Sequence, residues 1–210
     1  MGILRWLFFA LVVRPLVIAF LGLKLRHRER LPRDGPAFVA ANHNSHFDTL
    51  VLMTLFPLRL LPKLHPVAAE DFFGHNRALA WFTERIIGGI LFDRSGKHRD
   101  PFAPVDAAIA SGAIVFFFPE GTRGQPERMA PFKRGIAHLA SRHPDVPVTP
   151  IFLHGLGKAL PKNAWLPVPF IVDVLVGSPL RYGGDREGFM AALNGAMDAL
   201  VAEGGFPPWT

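Results

Sequence analysis

Cysteine is absent from the 210 residues of this chain, and tyrosine occurs once. Without cysteine, disulfide bonds, thiolate zinc sites and cysteine nucleophiles are excluded. The G-x-S-x-G pattern of a serine nucleophile and the H-E-x-x-H pattern of many zinc enzymes are missing too. No zinc-finger spacing or basic-aromatic RNA-binding pattern is found, so we expect no nucleic-acid partner.

Acidic side chains are also fewer than basic ones, 17 against 23, and the formal net charge is +6. Residues 1–34 carry seven basic and two acidic side chains, so nearly all of the excess lies at the N-terminus. Half of the residues are hydrophobic, 19 are phenylalanine, and the mean hydropathy is +0.24. Beside an apolar segment, basic side chains attract anionic lipid head groups by about 1 kcal/mol each. These features favour a membrane surface with anionic lipids as a partner.

The apolar segment is Ile3–Leu23, which is interrupted by Arg14 and Pro15. As one helix it would extend about 31 Å, the thickness of the hydrocarbon core of a bilayer. An arginine at the centre of a spanning helix costs about 2.5–3.5 kcal/mol, and proline kinks the helix there. We therefore predict two short helices, Ile3–Val13 and Leu16–Leu23, that anchor the protein in the membrane interface. The alternative is that they pack on the protein's own core. No small-residue cleavage site follows, so we expect no cleaved signal peptide.

Beyond Pro36, short apolar runs alternate with amphipathic segments. The predicted strands are Ala37–Ala41, Pro66–Ala69, Ile90–Asp93, Ile114–Phe118, Val148–Leu153 and Ile171–Val176. The predicted helices are Ser45–Phe56, Asn76–Ile87, Pro104–Ser111, Arg134–Arg142 and Arg186–Glu203. This alternation predicts an α/β fold with a mainly parallel central sheet flanked by helices. We expect residues 1–30 to associate with the membrane and residues 31–210 to form one domain.

A histidine and an aspartate five residues apart follow the first of these strands. An imidazole that removes a proton works best with a carboxylate on its other ring nitrogen, and His43 and Asp48 are candidates for that pair. Mid-helix, this spacing would point the two side chains roughly 140° apart. We therefore expect His43 in the loop before a helix and Asp48 in its first turn. A chance pairing and a metal site that includes His46 are the alternatives.

Cationic side chains recur where later strands end, which is where ligands collect in α/β folds. Arg94 follows one strand, Arg123 follows another, and Lys133 and Arg134 begin a helix. Guanidinium groups bind phosphate through two hydrogen bonds, and helix N-termini favour anions. The pattern therefore indicates a site for a phosphate monoester.

These segments together resemble the glycerolipid acyltransferases of the lysophosphatidic acid acyltransferase type. Four motif blocks match in order, within a region of about 31–153: Asn42–Asp48 as N-H-x4-D, Ile90–Arg94, Phe118–Arg123 as F-P-E-G-T-R, and Val146–Ile151. The F-P-E-G-T-R block downstream of N-H-x4-D makes the resemblance specific. The N-terminal segment and the last 55 or so residues match only in general character.

The resemblance implies roles for individual residues. His43 would be the general base that takes a proton from a glycerol hydroxyl, and Asp48 would orient it. The acceptor's glycerol phosphate would be held by Arg94, by Glu120, Gly121, Thr122 and Arg123, and more weakly by Lys133. Glu120 either binds the substrate or positions Arg123 or a loop amide.

The resemblance also implies the substrates and the location. The donor would be acyl-CoA or acyl-carrier protein, and the acceptor a lysophospholipid, with 1-acylglycerol 3-phosphate as first choice. Because cysteine and the G-x-S-x-G pattern are absent, we expect direct transfer without a covalent acyl-enzyme, and no metal or cofactor. We expect association with the cytoplasmic face of the cell membrane, with the stretch Leu160–Phe170, which includes Trp165, as a second membrane-touching loop.

Three alternatives stay open. The acceptor could be glycerol 3-phosphate, an ornithine lipid or another lysolipid, because all of these would keep the same base. The chain could be a non-catalytic lipid-binding module on the membrane surface. It could also be a metallohydrolase.

Overall fold

The structure, a computed structural model, describes residues 2–45, 47–69, 76–93, 99–122, 129–159 and 170–206. Their strands form one seven-stranded sheet in the order β1-β7-β6-β2-β5-β3-β4. The strands are β1 Leu21–Arg26, β2 Ala37–Ala41, β3 Leu64–Ala69, β4 Ile90–Phe92, β5 Ile114–Phe117, β6 Val148–His154 and β7 Phe170–Val176. Every neighbouring pair is parallel except β6 and β7. The predicted α/β fold with a mainly parallel sheet is confirmed.

Helices cover both faces of this sheet. They are α1 Ile3–Phe8, α2 Arg14–Phe20, α3 Phe47–Thr54, α4 Arg77–Phe82, α5 Ala103–Ala110, α6 Gly135–Arg142, α7 Leu156–Ala159 and α8 Arg186–Gly204. Two π-helical turns, Phe9–Val13 and Thr83–Ile87, join or extend them, and 3-10 turns occupy Arg28–Arg30 and Leu58–Lys63. All six predicted strands and all five predicted helices of the domain are present, with ends that differ by at most two residues when the π-turn Thr83–Ile87 is counted with α4.

Strand β2 lies at the centre of the molecule and is buried on both faces. Val39 packs in one core with residues of the N-terminal helix and α3, while Phe38 packs in a second core with residues of α5, α6 and α8. A strand that is covered on both sides is apolar at every position, which is why Ala37–Ala41 contains no polar residue. The end of β2 therefore delivers the following residues to the middle of the sheet edge.

The N-terminal segment differs from the prediction. Instead of two helices, residues 3–20 form one continuous helical stretch in which the π-turn Phe9–Val13 joins α1 to α2. Pro15 lies just after the π-turn, and because it has no N–H it removes one hydrogen bond from this continuous stretch. The predicted helix Leu16–Leu23 is wrong beyond Phe20, because Leu21–Arg26 alternates apolar and polar residues and pairs with β7 as β1.

One face of this N-terminal helix belongs to the core, since Phe9, Val13 and Val17 are each no more than 2% exposed. Two arginines attach it to the rest of the protein. Arg5 is buried and donates hydrogen bonds to the carbonyls of Leu64 (2.7 Å) and Ile87 (2.9 Å), and burial lowers its pKa to about 10. Arg14 donates to the carbonyl of Phe56 at the end of α3. Within the described part of the chain, no helix combines the length and the apolar character needed to cross a bilayer.

Candidate active site

The site is built on the loop that leaves the carboxyl end of β2. Asn42 is the first residue of this loop and is 1% exposed. Its side chain accepts a hydrogen bond from the backbone N–H of Leu153 (2.7 Å) and donates one to the Leu153 carbonyl (2.9 Å). The carboxamide thus continues the β2–β6 ladder by one step and fixes the backbone immediately before His43.

The next residue, His43, is paired with Asp48. The Nδ1–H of His43 donates to Oδ2 of Asp48 over 2.8 Å, and the same oxygen accepts the backbone N–H groups of Asn44 (2.6 Å) and Ser45 (2.8 Å). Asp48 lies in the first turn of α3. This is the geometry that the five-residue spacing predicts: the histidine lies in the loop, and the carboxylate reaches back from the helix.

Burial sets the electrostatics of this pair. The Asp48 side chain is fully buried, whereas the His43 side chain is 19% exposed. Burial raises the pKa of Asp48, and the hydrogen bonds from His43, Ser45 and Asn44 offset part of that increase. Because Nδ1 is engaged by the carboxylate, Nε2 is the ring nitrogen that can take a proton. The pair can therefore serve as a base that faces partly open space.

Phe118 supports the imidazole from the side. Its ring, just beyond the end of β5, stacks on the His43 ring with 4.2 Å between the centroids and 25° between the planes. A flat apolar ring holds the imidazole in one orientation while it leaves the ring edge accessible. Sequence reasoning placed Phe118 at the end of a strand and at the start of the F-P-E-G-T-R block, and gave it no role toward His43.

Glu120 is also buried, and both of its carboxylate oxygens accept backbone hydrogen bonds. Oε1 accepts the N–H of His43 over 2.7 Å, and Oε2 accepts the N–H of Ala130 over 2.9 Å. Desolvation raises the pKa of Glu120, because only 2% of the residue is exposed, and the two hydrogen bonds oppose this increase. The structure thus brings Glu120 to His43 through the backbone rather than through the ring.

Gly121 lies in a tight turn after Glu120, and the side chain of Lys133 lies against it. Gly121 has φ +73°, and its N–H donates to the carbonyl of Phe118 (2.9 Å), which closes a tight turn. The Lys133 N–H donates to the carbonyl of Pro119 (2.8 Å), and its Nζ would lie 2.9 Å from a Cβ placed on Gly121. A larger residue at position 121 would adopt this backbone conformation with strain and would also collide with Lys133. The ammonium group of Lys133 therefore lies against Gly121. Thr122 follows and is exposed.

Several predicted residues are not among those that the structure describes. Arg94, Arg123 and His46 lie outside the described residues, as do residues 160–169 of the predicted second membrane loop, including Trp165. Phe170 begins β7. Among the described side chains, no three His, Asp or Glu residues gather as ligands for a metal ion.

Comparison with known proteins identifies the family. The Acyltransferase family model matches residues 22–154, more than half of the chain. The chain belongs to the acyltransferase family. The match confirms the family resemblance and the enzyme class that the four motif blocks predict.

Relatives of this acyltransferase are named 1-acyl-sn-glycerol-3-phosphate acyltransferases. The Pseudomonas aeruginosa protein is 30% identical over 191 residues, which are 89% of this chain and 70% of that protein. The chloroplastic BAT2 protein of Brassica napus is 45% identical over 143 residues, 65% of this chain and 38% of that protein. This acyltransferase therefore spans most of the bacterial relative but less than half of the plant one.

The crystal structure of the 1-acyl-sn-glycerophosphate acyltransferase PlsC from Thermotoga maritima has the same fold as this acyltransferase. The TM-score is 0.72, and the likeness covers 95% of this chain and 78% of that one, at 21% sequence identity. A likeness at this identity supports the fold alone.

Proposed function

We propose that this acyltransferase moves a fatty acyl chain from an acyl thioester to the free hydroxyl of a lysophospholipid. The first-choice acceptor is 1-acylglycerol 3-phosphate, which would give phosphatidic acid. The observation that carries the proposal is the His43–Asp48 pair, with a buried carboxylate on Nδ1 and a partly exposed ring. The names of the relatives support the choice of acceptor.

In the proposed reaction, Nε2 of His43 takes the proton of the acceptor hydroxyl as its oxygen attacks the thioester carbonyl. The C–S bond then breaks as the ester forms, and the imidazolium returns its proton to the leaving thiolate. Asp48 stabilises the imidazolium that exists between these steps. Coenzyme A or acyl-carrier protein would be the carrier of the acyl chain.

The acceptor's phosphate would be bound on the Gly121 side of the His43 loop. Lys133 supports this placement because its ammonium group lies against the Gly121 turn. The residue before Gly121 is Glu120, which accepts the backbone N–H of His43. By the family motifs, Arg94, Thr122 and Arg123 would complete the phosphate site.

The direct test is an assay of the purified protein. Radiolabelled acyl-CoA and acyl-carrier protein would be offered with a panel of acceptors: 1-acylglycerol 3-phosphate, glycerol 3-phosphate, a lyso-ornithine lipid and neutral lysolipids. We expect the highest kcat/KM with 1-acylglycerol 3-phosphate. Preference for a neutral acceptor would contradict the phosphate site, and lipid binding without turnover would indicate a non-catalytic module.

Substitution of Arg123 tests the phosphate site in the same assay. We expect Arg123→Ala to lower kcat/KM for the phosphorylated acceptor by about 10- to 100-fold, since charge-assisted hydrogen bonds contribute about 1.5–3 kcal/mol. The KM for the thioester should change little. Arg181→Ala is the control, because that guanidinium contacts the carbonyl of Asp145 outside the site. An effect of Arg123→Ala on the thioester alone would mean that the two substrate sites are exchanged.

We also propose that residues 1–30 attach the enzyme to the cytoplasmic face of the cell membrane. The face of the N-terminal helix opposite the core supports this, because it leaves seven large apolar side chains 38–76% exposed: Ile3, Leu4, Trp6, Leu7, Leu11, Val12 and Ile18. Exposed Lys24, Arg26, Arg28 and Arg33 follow in the chain and supply positive charge for anionic lipids.

Charge introduced on this helix should weaken membrane binding. Burying a leucine or isoleucine side chain is favourable by about 1.5–3 kcal/mol, so we expect the double variant Leu11→Glu, Ile18→Glu to bind vesicles containing phosphatidylglycerol more than 10-fold less tightly. Val201→Glu on α8 is the matched control, since Val201 is an exposed apolar residue (38%) on another surface. Equal losses in both variants, measured by cosedimentation, would contradict the assignment of this surface.

A further inference from the structure

Glu120 connects two separate segments of the chain. It follows β5, and its carboxylate joins the backbone of His43 in the β2 loop to the backbone of Ala130, ten residues further along. A second connection lies beside it, where the Lys133 N–H meets the carbonyl of Pro119. Residues 119–121 and 129–133 therefore meet at one place beside the His43 loop.

Only a carboxylate can make this connection. Each of its oxygens accepts, so both can face N–H groups that point at them from opposite segments. A glutamine of the same length would turn its NH2 group toward one of the two N–H donors and lose that hydrogen bond. Aspartate keeps the charge but is one methylene shorter, so it cannot span the two donors.

The cost of this arrangement indicates a role beyond local stability. A carboxylate that is 2% exposed has lost most of its hydration, and its neighbours are the His43 loop and the second buried carboxylate, Asp48. Two backbone N–H groups could be satisfied by water or by a neutral acceptor without that cost. What the carboxylate adds is a fixed distance between the two segments.

We propose that Glu120 is a positioning residue that sets residues 129–133, which include Lys133 of the proposed phosphate site, against the backbone of His43. In this arrangement the bound phosphate fixes the acceptor so that its hydroxyl lies next to Nε2 of His43. Both carboxylate oxygens are engaged by backbone, so Glu120 acts on the substrate through these two segments. The inference rests on the proposed function for the identity of the acceptor, but the connection itself is independent of it.

Kinetics of Glu120→Gln test the role. Because small misplacements of reacting groups cost about 100-fold in rate, we expect kcat to fall by about that factor, with a smaller change in the KM for 1-acylglycerol 3-phosphate. Glu120→Asp should behave like Glu120→Gln, because aspartate keeps the charge but is too short to accept both N–H groups. Glu187→Gln on the exposed start of α8 is the control and should match the wild type. A raised acceptor KM with unchanged kcat would overturn the proposal in favour of direct substrate contact.

Hydrogen exchange of the substrate-free wild-type enzyme gives a readout that does not depend on turnover or on the folding of a variant. The amides of His43 and Ala130 should be protected. In Glu120→Gln the one of these two amides that faces the NH2 group should exchange faster, whereas the amides of Asn44 and Ser45, which bond to Asp48, should stay protected. A uniform loss of protection in the variant would indicate a structural role only and would overturn the proposal.

These arms separate the two hypotheses. If the wild-type enzyme transfers no acyl chain while the exchange pattern is as expected, the proposed reaction fails and the connection stands. If His43 and Ala130 exchange freely in an active wild-type enzyme, the reaction stands and the positioning role of Glu120 is wrong.

Discussion

His43→Ala should abolish acyl transfer while the protein stays folded. A positioned general base contributes about 10²–10⁴-fold to rate, so we expect kcat to fall by about 100-fold or more. Stability should change little, because the loss of the imidazole leaves Asp48 with two backbone donors, Asn44 and Ser45. Transfer of a radiolabelled acyl chain measures the first effect, and thermal unfolding followed by circular dichroism measures the second.

The chain supplies a matched control for this variant. His143 forms a second histidine–aspartate pair with Asp106 over 2.7 Å, with both side chains 21% exposed. It follows α6 and precedes β6, so it lies at the edge of the sheet opposite to His43. His143→Ala removes a second histidine–aspartate contact far from the site and should retain full activity. Equal losses in both variants, or near-normal turnover in His43→Ala, would contradict the assignment of His43 as the base.

Much of the fold follows from local sequence patterns. Strand β2 is predictable because a strand in the middle of a parallel sheet must be apolar on both faces, and Ala37–Ala41 is. The sequence does not predict strand β1, because no turn signal separates it from the preceding helix and the alternation of Leu21–Arg26 covers only six residues. Its partner β7 lies about 150 residues later, so no local pattern indicates that pairing, and none indicates the antiparallel step between β6 and β7.

Some contacts of the site also follow from local sequence, and others do not. The spacing of His43 and Asp48 fixes their relation to a helix start, so their geometry follows from the sequence. The partners of Asn42 and Glu120 are main-chain groups of Leu153 and Ala130, and every residue except proline carries such N–H groups. A side chain whose partner is backbone from a distant segment leaves no pattern in the sequence. Tertiary structure alone reveals it.

Asp48→Ala should cost more stability than any other substitution in the site. It would leave three donors, Nδ1 of His43 and the N–H groups of Asn44 and Ser45, without their acceptor in a buried position. A buried donor that loses its acceptor costs about 1–3 kcal/mol, and three such donors together about 3 kcal/mol or more. We expect a loss of this size in chemical denaturation, together with loss of activity. A variant as stable as the wild type would mean that water replaces the carboxylate, and that the loop is more open than the structure shows.

Asp48→Asn separates the charge of Asp48 from its hydrogen bonding. The side-chain oxygen of asparagine can still accept the three donors, so the loop and the tautomer of His43 should persist, but no negative charge stabilises the imidazolium. Activity should therefore fall by about 100-fold or more while much of the stability remains.

The difference in stability between the wild type and Asp48→Asn should depend on pH. Since burial raises the pKa of Asp48 in the folded state, ionised Asp48 opposes folding above that pKa, and the wild type should gain stability relative to Asp48→Asn as the pH falls through it. Parallel denaturation of the two proteins across this range measures the difference, and a gap that widens in the opposite direction would mean that the hydrogen bonds outweigh the loss of hydration.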